Sequence, residues 1–249
     1  MLRTIRADLH IHTCLSPCAE LEMTPAAIAD ACTTMGMDLI AICDHNSAEN
    51  IRYVRKAAGT KIAVLAGMEV TTAEEAHILA LFDRPEQALR LQELVYDHLM
   101  EGENDEDLFG IQVVANEQDE VESIVNRLLI GATTLGIDSL LEKIHDLGGL
   151  AVASHVDREA FSLLGQLGFI PESLALDAVE ISAARDAAVY AEEAGLTERP
   201  CITASDAHRL SELGRAFTRF YIKEPNITEI RKAFRGESER TILGTCRAC

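Results

Sequence analysis

The sequence predicts an α/β protein with a largely parallel sheet, either a barrel or a doubly wound sheet. Three observations predict it. Short apolar runs alternate with longer stretches of helical periodicity along most of the chain. Several runs are apolar almost without interruption, as strands buried on both faces are. The 249 residues suffice for one large core but not for two.

The first apolar run covers residues 5–10. Thr24-Pro25 then opens a helix, with an N-cap residue followed by proline at the first helical position. Ile28, Cys32 and Met35 recur at helical spacing, and Gly36 stops the run. Runs at 37–44, 61–69 and 77–82 read as the next strands. The alternation breaks over 85–136. A leucine-rich helix leads there into Glu101, Glu103, Asp105, Glu106 and Asp107, then Glu117, Asp119, Glu120 and Glu122. This stretch reads as a solvated, helical insertion, with a cap over an active site as the alternative. Ser139 and Glu142 form a capping box for a helix with Leu140, Leu141, Ile144 and Leu147 on one face. Gly148-Gly149 ends it. Runs at 150–155, 178–182 and 201–206 complete the strands, and 186–194 and 228–234 read as shorter helices. No repeat divides the chain, so residues 1–249 read as one domain.

Composition narrows the function. Apolar residues make up 48% and charged residues 25%, which excludes a disordered tail or a fibrous rod. Asp+Glu outnumber Lys+Arg 41 to 22, for a formal charge of −19. So acidic a chain is expected to avoid long nucleic acid and anionic membranes. A small phosphorylated substrate is the expected partner, since a metal ion can supply positive charge locally. The seven cysteines lack a disulfide rhythm, residues 1–8 carry no secretory pattern, and no run approaches the ~18 apolar residues of a membrane span. A reducing cytoplasm is the expected location. Cys246-x-x-Cys249 reads as a frayed tail.

The histidines locate the chemistry. Six of the eight fall at edges of predicted strands: His10, His12, His45, His77, His155 and His208. His98 and His145 lie in helical patterns. Residues two apart on a strand face the same side, so His10 and His12 can reach one point, and so can Asp206 and His208. Glu69 ends a buried run, where a carboxylate needs a partner. In a parallel barrel or sheet the C-terminal strand ends share one rim, which is where active sites of such folds lie. His77 is the exception, because it begins its run. Imidazoles and carboxylates converging on that rim would bind Zn, Mn or Fe, and eight such ligands call for two or three ions.

Taken together, Asp8-Leu9-His10-Ile11-His12-Thr13, Asp44-His45-Asn46, Gly67-Met68-Glu69 followed by His77, Ser154-His155-Val156-Asp157 and Ser205-Asp206-Ala207-His208 resemble the PHP (polymerase and histidinol phosphatase) family. The resemblance runs from Asp8 to His208. It implies a distorted (β/α)7 TIM-like barrel and a metal-dependent phosphoesterase. It also implies that His10, His12, Glu69 and Asp206 hold one ion. Glu69, His77 and His155 would hold a second, with Glu69 as the bridge, and His45 and His208 a third. The family places one more ligand shortly after the H-x-H pair. Pro17 cannot serve, which leaves Cys18 or Glu20. Asp8 and Asp44 are expected to orient imidazoles from behind. Asp206 or a metal-site histidine such as His208 would handle the proton, and Arg158 and Arg209 would bind phosphate. The expected substrate is a small phosphomonoester or short nucleotide. A nuclease acting on nucleic-acid ends and a non-catalytic metal-binding regulatory module are the rivals.

Overall fold

The computed structural model describes residues 1–247. In chain order the elements are β1 (Arg3–Ile11), α1 (Pro25–Thr34), β2 (Leu39–Ile42), α2 (Ile51–Ala58), β3 (Ala63–Thr71), β4 (His77–Phe82), α3 (Pro85–His98), α4 (Glu106–Phe109), β5 (Val113–Ala115), β6 (Val121–Ile124), α5 (Ile137–Asp146), β7 (Leu150–Ala153), α6 (Leu163–Leu167), β8 (Ala178–Glu180), α7 (Ala187–Glu193), β9 (Cys201–Ile202), β10 (Ala216–Ile222), α8 (Ile227–Phe234) and β11 (Thr241–Arg247).

Nine strands form one sheet in the order β11-β10-β1-β2-β3-β4-β7-β8-β9. Its edges nearly meet. The chain after β9 runs beside β1 through a parallel Ile11–Ala207 bridge, and the His12 amide donates to the Ala207 carbonyl at 3.0 Å. Lower down, β10 fills the gap. Thr203 and Thr218 exchange two hydrogen bonds there, of 2.9 and 2.8 Å. The fold is thus a distorted, TIM-like α/β barrel.

Two features depart from a parallel barrel. β4 runs antiparallel to both β3 and β7. The five residues 72–76 between β3 and β4 are too few for a crossover, which needs about a dozen, so the chain turns straight back. β10 and β11 add an antiparallel flap on β1. The expected frayed tail is therefore a strand as far as Arg247, with Cys246 opposite Phe217, while Cys249 lies outside the described residues.

The strand parity explains the core. Leu39, Ala41, Leu65, Leu79, Leu81, Leu150, Val152, Ala178 and Ile202 face one another and fill the barrel. The alternate positions, such as Ile40, Ile42, Val64, Ala66, Ile78 and Ala80, pack outward against α1, α2, α3 and α5. Gly67 lies on the interior face, where a Cβ would stand 2.5 Å from Cys43 Sγ. Only glycine lets β2 and β3 pair there.

Helix ends differ from expectation in one place. α5 starts at Ile137, with Gly136 at its N-cap, so Ser139 caps nothing. The Glu74 carboxylate accepts from the Ile137 amide instead, and its charge suits a helix N-terminus. α8 packs on the barrel interior through Ile227, Ile230 and Ala233. Its buried Glu229 accepts from the Lys223 amide and from the Lys232 and Arg240 side chains. The Arg240 contact, with these others, pulls its carboxyl down to about 2. Glu229→Ala is expected to cost about 1.5–3 kcal/mol of stability at neutral pH, as charged hydrogen bonds of this kind do. The folded pKa lies below the unfolded one, so the contribution is whole above pH about 4.5 and fades as pH falls toward 2. Urea denaturation of both proteins at pH 7 and pH 3 measures this, and the gap should narrow at pH 3.

Residues 85–136 are not a purely solvated insertion. α3 buries Ala88, Leu91 and Val95 against the core. The remainder docks on the loops that follow β1 and β2. Asn46 Nδ2 donates to the Leu129 and Gly131 carbonyls, Asn50 Nδ2 to the Val113 carbonyl, and the Cys18 amide to the Phe109 carbonyl. No helix among the described residues is long and apolar enough to cross a membrane.

Candidate metal centre

Strand parity and one bulge aim the rim residues inward. Glu69 shares the interior face of β3 with Leu65, and Glu180 that of β8 with Ala178, while His45, three residues past β2, pairs with Glu69 through an isolated parallel bridge. β1 would point His10 and His12 outward, since Ile5, Ala7 and Leu9 are its interior residues. It inserts one extra residue against β2 between Asp8 and Ile11, and that bulge flips the parity. Because β4 runs backwards, His77 at its start reaches the rim where the other strands end. His155 (φ 27°) and Asp206 (φ 49°) both hold the left-handed backbone region, which is strained for non-glycine residues and concentrates at functional sites.

These residues meet under the rim. Nε2 of His10 and His12 lie 3.0 Å apart. Asp206 Oδ1 is 3.1 Å from His12 Nε2 and 3.4 Å from His10 Nε2. Glu69 lies between two sets of imidazoles. Its Oε1 is 3.1 Å from His77 Nδ1, 3.3 Å from His155 Nε2 and 3.4 Å from His10 Nε2. Its Oε2 is 3.1 Å from His45 Nδ1 and 3.4 Å from His12 Nε2. Three groups have ligand atoms within 4.8 Å of one another: His10, His12, Glu69 and Asp206; His45, Glu69 and His77; and His12, His45 and His208.

The donor chemistry fits a cation. His10 Nδ1 donates to Glu180 at 2.9 Å, which turns its Nε2 toward the centre. Ser16 Oγ gives its proton to Asp44 and therefore accepts from His12 Nδ1, which turns that Nε2 inward as well. With both rings neutral, lone pairs of two imidazoles and two carboxylates crowd one point, a crowding that a proton on His10 or a bound cation relieves. In the second group, the buried His45 Nδ1, His77 Nδ1 and Glu69 Oε1 make no hydrogen bond despite 3.1 Å approaches. Burial of such atoms without partners is costly, and a shared cation removes that cost.

Electrostatics agree. Burial opposes charge on His10, yet Glu180, Glu69 and Asp206 outweigh it and hold its pKa well above the usual value. Burial, with the nearby His208, pushes His12 down to about 3, and burial keeps His45 low too. Burial alone would raise Glu69 and Asp206. The surrounding imidazoles, His77 and His10 for Glu69 and His10 and His12 for Asp206, hold both well below the carboxylate range. The centre thus draws positive charge to itself.

Several expected residues stand elsewhere. Cys18 is exposed, Glu20 pairs with Arg209 at 3.2 Å on the surface, and none of the three groups includes Cys18 or Glu20. Asp8 and Asp44 touch no imidazole. Asp8 accepts from the Ser205 and Gly214 amides, and Asp44 from Thr13 and Ser16. Burial raises both to about 6, against the pull of these donors. Asp44 steadies His12 only through Ser16. Arg158 does reach the centre, donating from Nη2 to Asp206 Oδ2. The acid behind an imidazole is Glu180, which escaped the sequence reading. Its signal was a lone carboxylate inside the apolar run Ala178-Val179-Glu180-Ile181.

The barrel and this rim of imidazoles and carboxylates define a metal-dependent hydrolase. The chain belongs to the PHP domain family: the PHP domain pattern matches residues 8–161, and the PHP-associated pattern matches 182–238. Members of this family are phosphoesterases that use divalent metals. The uncharacterised protein YqxK of Bacillus subtilis is 30% identical over 110 residues, covering 42% of this chain and 28% of that protein. In fold the chain is similar to the lesion-specific endonuclease PfuEndoQ of Pyrococcus furiosus, with TM-score 0.71 and 20% identity. That match covers 98% of this chain and 58% of the endonuclease. An Endonuclease Q complex with a 27-mer duplex, whose abasic lesion lies at the active site, matches equally (TM-score 0.71, 20% identity, 97% and 59% covered). A protein assigned as a metal-dependent phosphoesterase, from Bifidobacterium adolescentis, matches with TM-score 0.50 and 18% identity over 81% of this chain and 87% of its own. The chain thus spans little more than half of the endonuclease and under a third of YqxK.

The duplex complex overturns the expectation that the partner is small and that long nucleic acid is excluded. Net charge sums the whole surface, whereas a phosphate meets the local field of a cleft.

Proposed function

We propose that this chain hydrolyses a phosphoester bond in a nucleic-acid strand by metal-activated water. The observation that carries the hydrolytic reading is the convergence of His10, His12, Glu69 and Asp206 with their acceptor atoms turned on one another. The nucleic-acid part is supported by the duplex at the active site of a protein that shares this fold along 97% of the chain.

His10, His12, Glu69 and Asp206 would hold one ion, Glu69, His77 and His155 a second with His45 close by, and His45 and His208 a third. Zn, Mn and Fe suit imidazole and carboxylate donors. Bound ions would supply Lewis acidity, lowering the pKa of a water and offsetting charge on the phosphoryl group. Glu69 would bridge, with its Oε1 near His10, His77 and His155 and its Oε2 near His12 and His45. Arg158, held on Asp206, presents its guanidinium beside the centre and would bind a phosphoryl oxygen. His208 donates from Nδ1 to the Asp206 carbonyl at 3.1 Å, which leaves a lone pair on Nε2. Partly exposed and stacked on His12, it would pass the proton between the site and solvent when only two ions are bound, with Asp206 as its neighbour, and would give that Nε2 to the third ion when three are bound. The six described cysteines are all unpaired, which supports a reducing, cytoplasmic setting.

The test is a panel of phosphomonoesters, oligonucleotides and duplexes carrying an abasic site, with protein whose metal content is measured. The expected result is two or more ions per chain and cleavage of nucleic acid. Turnover of monoesters alone would replace the nucleic-acid part. Tight metal binding without turnover would make the chain a non-catalytic module.

A further inference from the structure

We infer that a pocket beside the metal centre, formed by Arg158, Arg185 and Arg215, binds a second, non-scissile phosphate of the substrate. This deepens the function proposed above and rests on it.

The pocket is a cavity of about 360 Å³, within the range of small-ligand sites. It lies where the two family-matched segments meet, with Arg158 from the first and Ser182, Arg185 and Arg215 from the second. Three arginines gather here in a chain whose formal charge is −19. Such a concentration of positive charge against the whole-chain balance focuses anions.

Its walls are set in place. Arg215 Nε donates to the Ser205 carbonyl at 2.9 Å, beside Asp206, and its Nη1 meets Glu212 at 3.2 Å. Arg158 is held by Asp206. Arg185 lies over the Tyr190 ring at 5.3 Å. The one acid of the lining, Asp157, is engaged by the Ser182 amide (2.7 Å) and hydroxyl (2.6 Å), so its lone pairs already have donors. Ala183 and Ala184 keep the pocket open.

Geometry ties the pocket to the reaction. Arg158 spans both, touching Asp206 at the metal centre and lining the pocket. A phosphate bound by Arg158 and the centre leaves the free edge of Arg215 open, and Arg185 has no ion pair among the described residues. Guanidinium groups match phosphate with paired hydrogen bonds, so a second phosphate is the ligand that uses them. A strand carries one at every nucleotide, whereas a simple monoester has none to offer.

The test compares p-nitrophenyl phosphate, which has one phosphate, with 5′-phosphorylated dithymidine, which has two. Arg185→Ala and Arg215→Lys are assayed as metal-loaded proteins of measured metal content. For Arg185→Ala, the expected result is a KM for the dinucleotide raised about ten- to hundredfold, the loss of one charge-assisted contact. The KM for the one-phosphate ester should move less than threefold. Arg215→Lys should show the same split more weakly. Equal shifts for both substrates, or none for either, would overturn the pocket's role. Binding of a labelled five-nucleotide strand, followed by fluorescence anisotropy, supplies a readout independent of turnover. If the wild type hydrolyses nothing, the proposed function fails. The pocket then stands only if Arg185→Ala weakens strand binding, and it falls if the affinities match.

Discussion

Glu69→Gln is expected to abolish hydrolysis, lowering turnover about a thousandfold or more, because in the proposed site this one side chain would serve two ion positions at once. Glutamine keeps the volume but replaces two anionic oxygens with one neutral oxygen and one NH2 group. The NH2 group would face imidazole nitrogens that now look toward a carboxylate. A cation shared across Glu69 then loses its bridge. Folding is not expected to suffer, since the amide can donate to an imidazole lone pair where the carboxylate could only accept. Melting temperature with and without metal separates loss of the site from loss of the fold. At a hundredfold excess of ion over Kd, each bound ion stabilises the wild type by about 2.7 kcal/mol, or roughly 5–10 °C. The variant should melt like metal-free wild type and gain little on adding Zn or Mn. A variant that keeps full metal content and turnover would remove Glu69 from the site.

The fold class and the histidine rim were legible because both follow from short-range rules. Apolar runs and periodicity mark strands and helices, and H-x-H marks one face of a strand. Three features lay beyond those rules. The bulge in β1 is set by pairing with β2, so spacing alone placed His10 and His12 together without showing that they must be flipped inward. The flap of β10 and β11 was missed, although the seven residues of β10, Ala-Phe-Thr-Arg-Phe-Tyr-Ile, largely alternate buried and exposed positions as a half-solvated strand does. The direction of β4 was readable in principle. A five-residue link cannot cross a barrel, and applying that constraint removes the anomaly of a histidine at the start of a strand.

The site misreadings share a cause. Cys18, Glu20 and Arg209 were chosen by closeness along the chain to motif histidines, and closeness along the chain does not determine direction. The β1 loop sends Cys18 outward, and Glu20 and Arg209 satisfy each other at the surface. Asp8 and Asp44 were assigned to imidazoles because each lies within two residues of one in sequence. Asp44 directly precedes His45, and adjacent residues on extended backbone point to opposite sides; Asp8 lies two before His10, but the β1 bulge falls between them and puts the two on opposite faces. Both acids instead bind backbone amides that fix the loops beneath the centre. The acid that supports a ligand must come from another strand, which is where Glu180 is found.

Glu180→Gln is accordingly expected to lower metal affinity about 10- to 100-fold, the usual cost of removing the partner behind a ligating histidine. Glu180 and His10 are both fully buried, and their 2.9 Å contact sets which nitrogen of His10 faces the centre. The amide oxygen of glutamine can still accept from His10 Nδ1, so ring orientation should survive. What is lost is the negative charge that makes the imidazole a stronger donor. Glu180→Ala goes further and leaves His10 Nδ1 buried without a partner. Its ring is then free to turn, and affinity should fall below that of the glutamine variant. Competition with a chelator of known affinity measures each step, and the ordering of wild type above glutamine above alanine is the decisive result. Equal affinities for all three would mean that His10 is held by packing against its neighbours alone, and Glu180 would then be a buried acid without a part in the site.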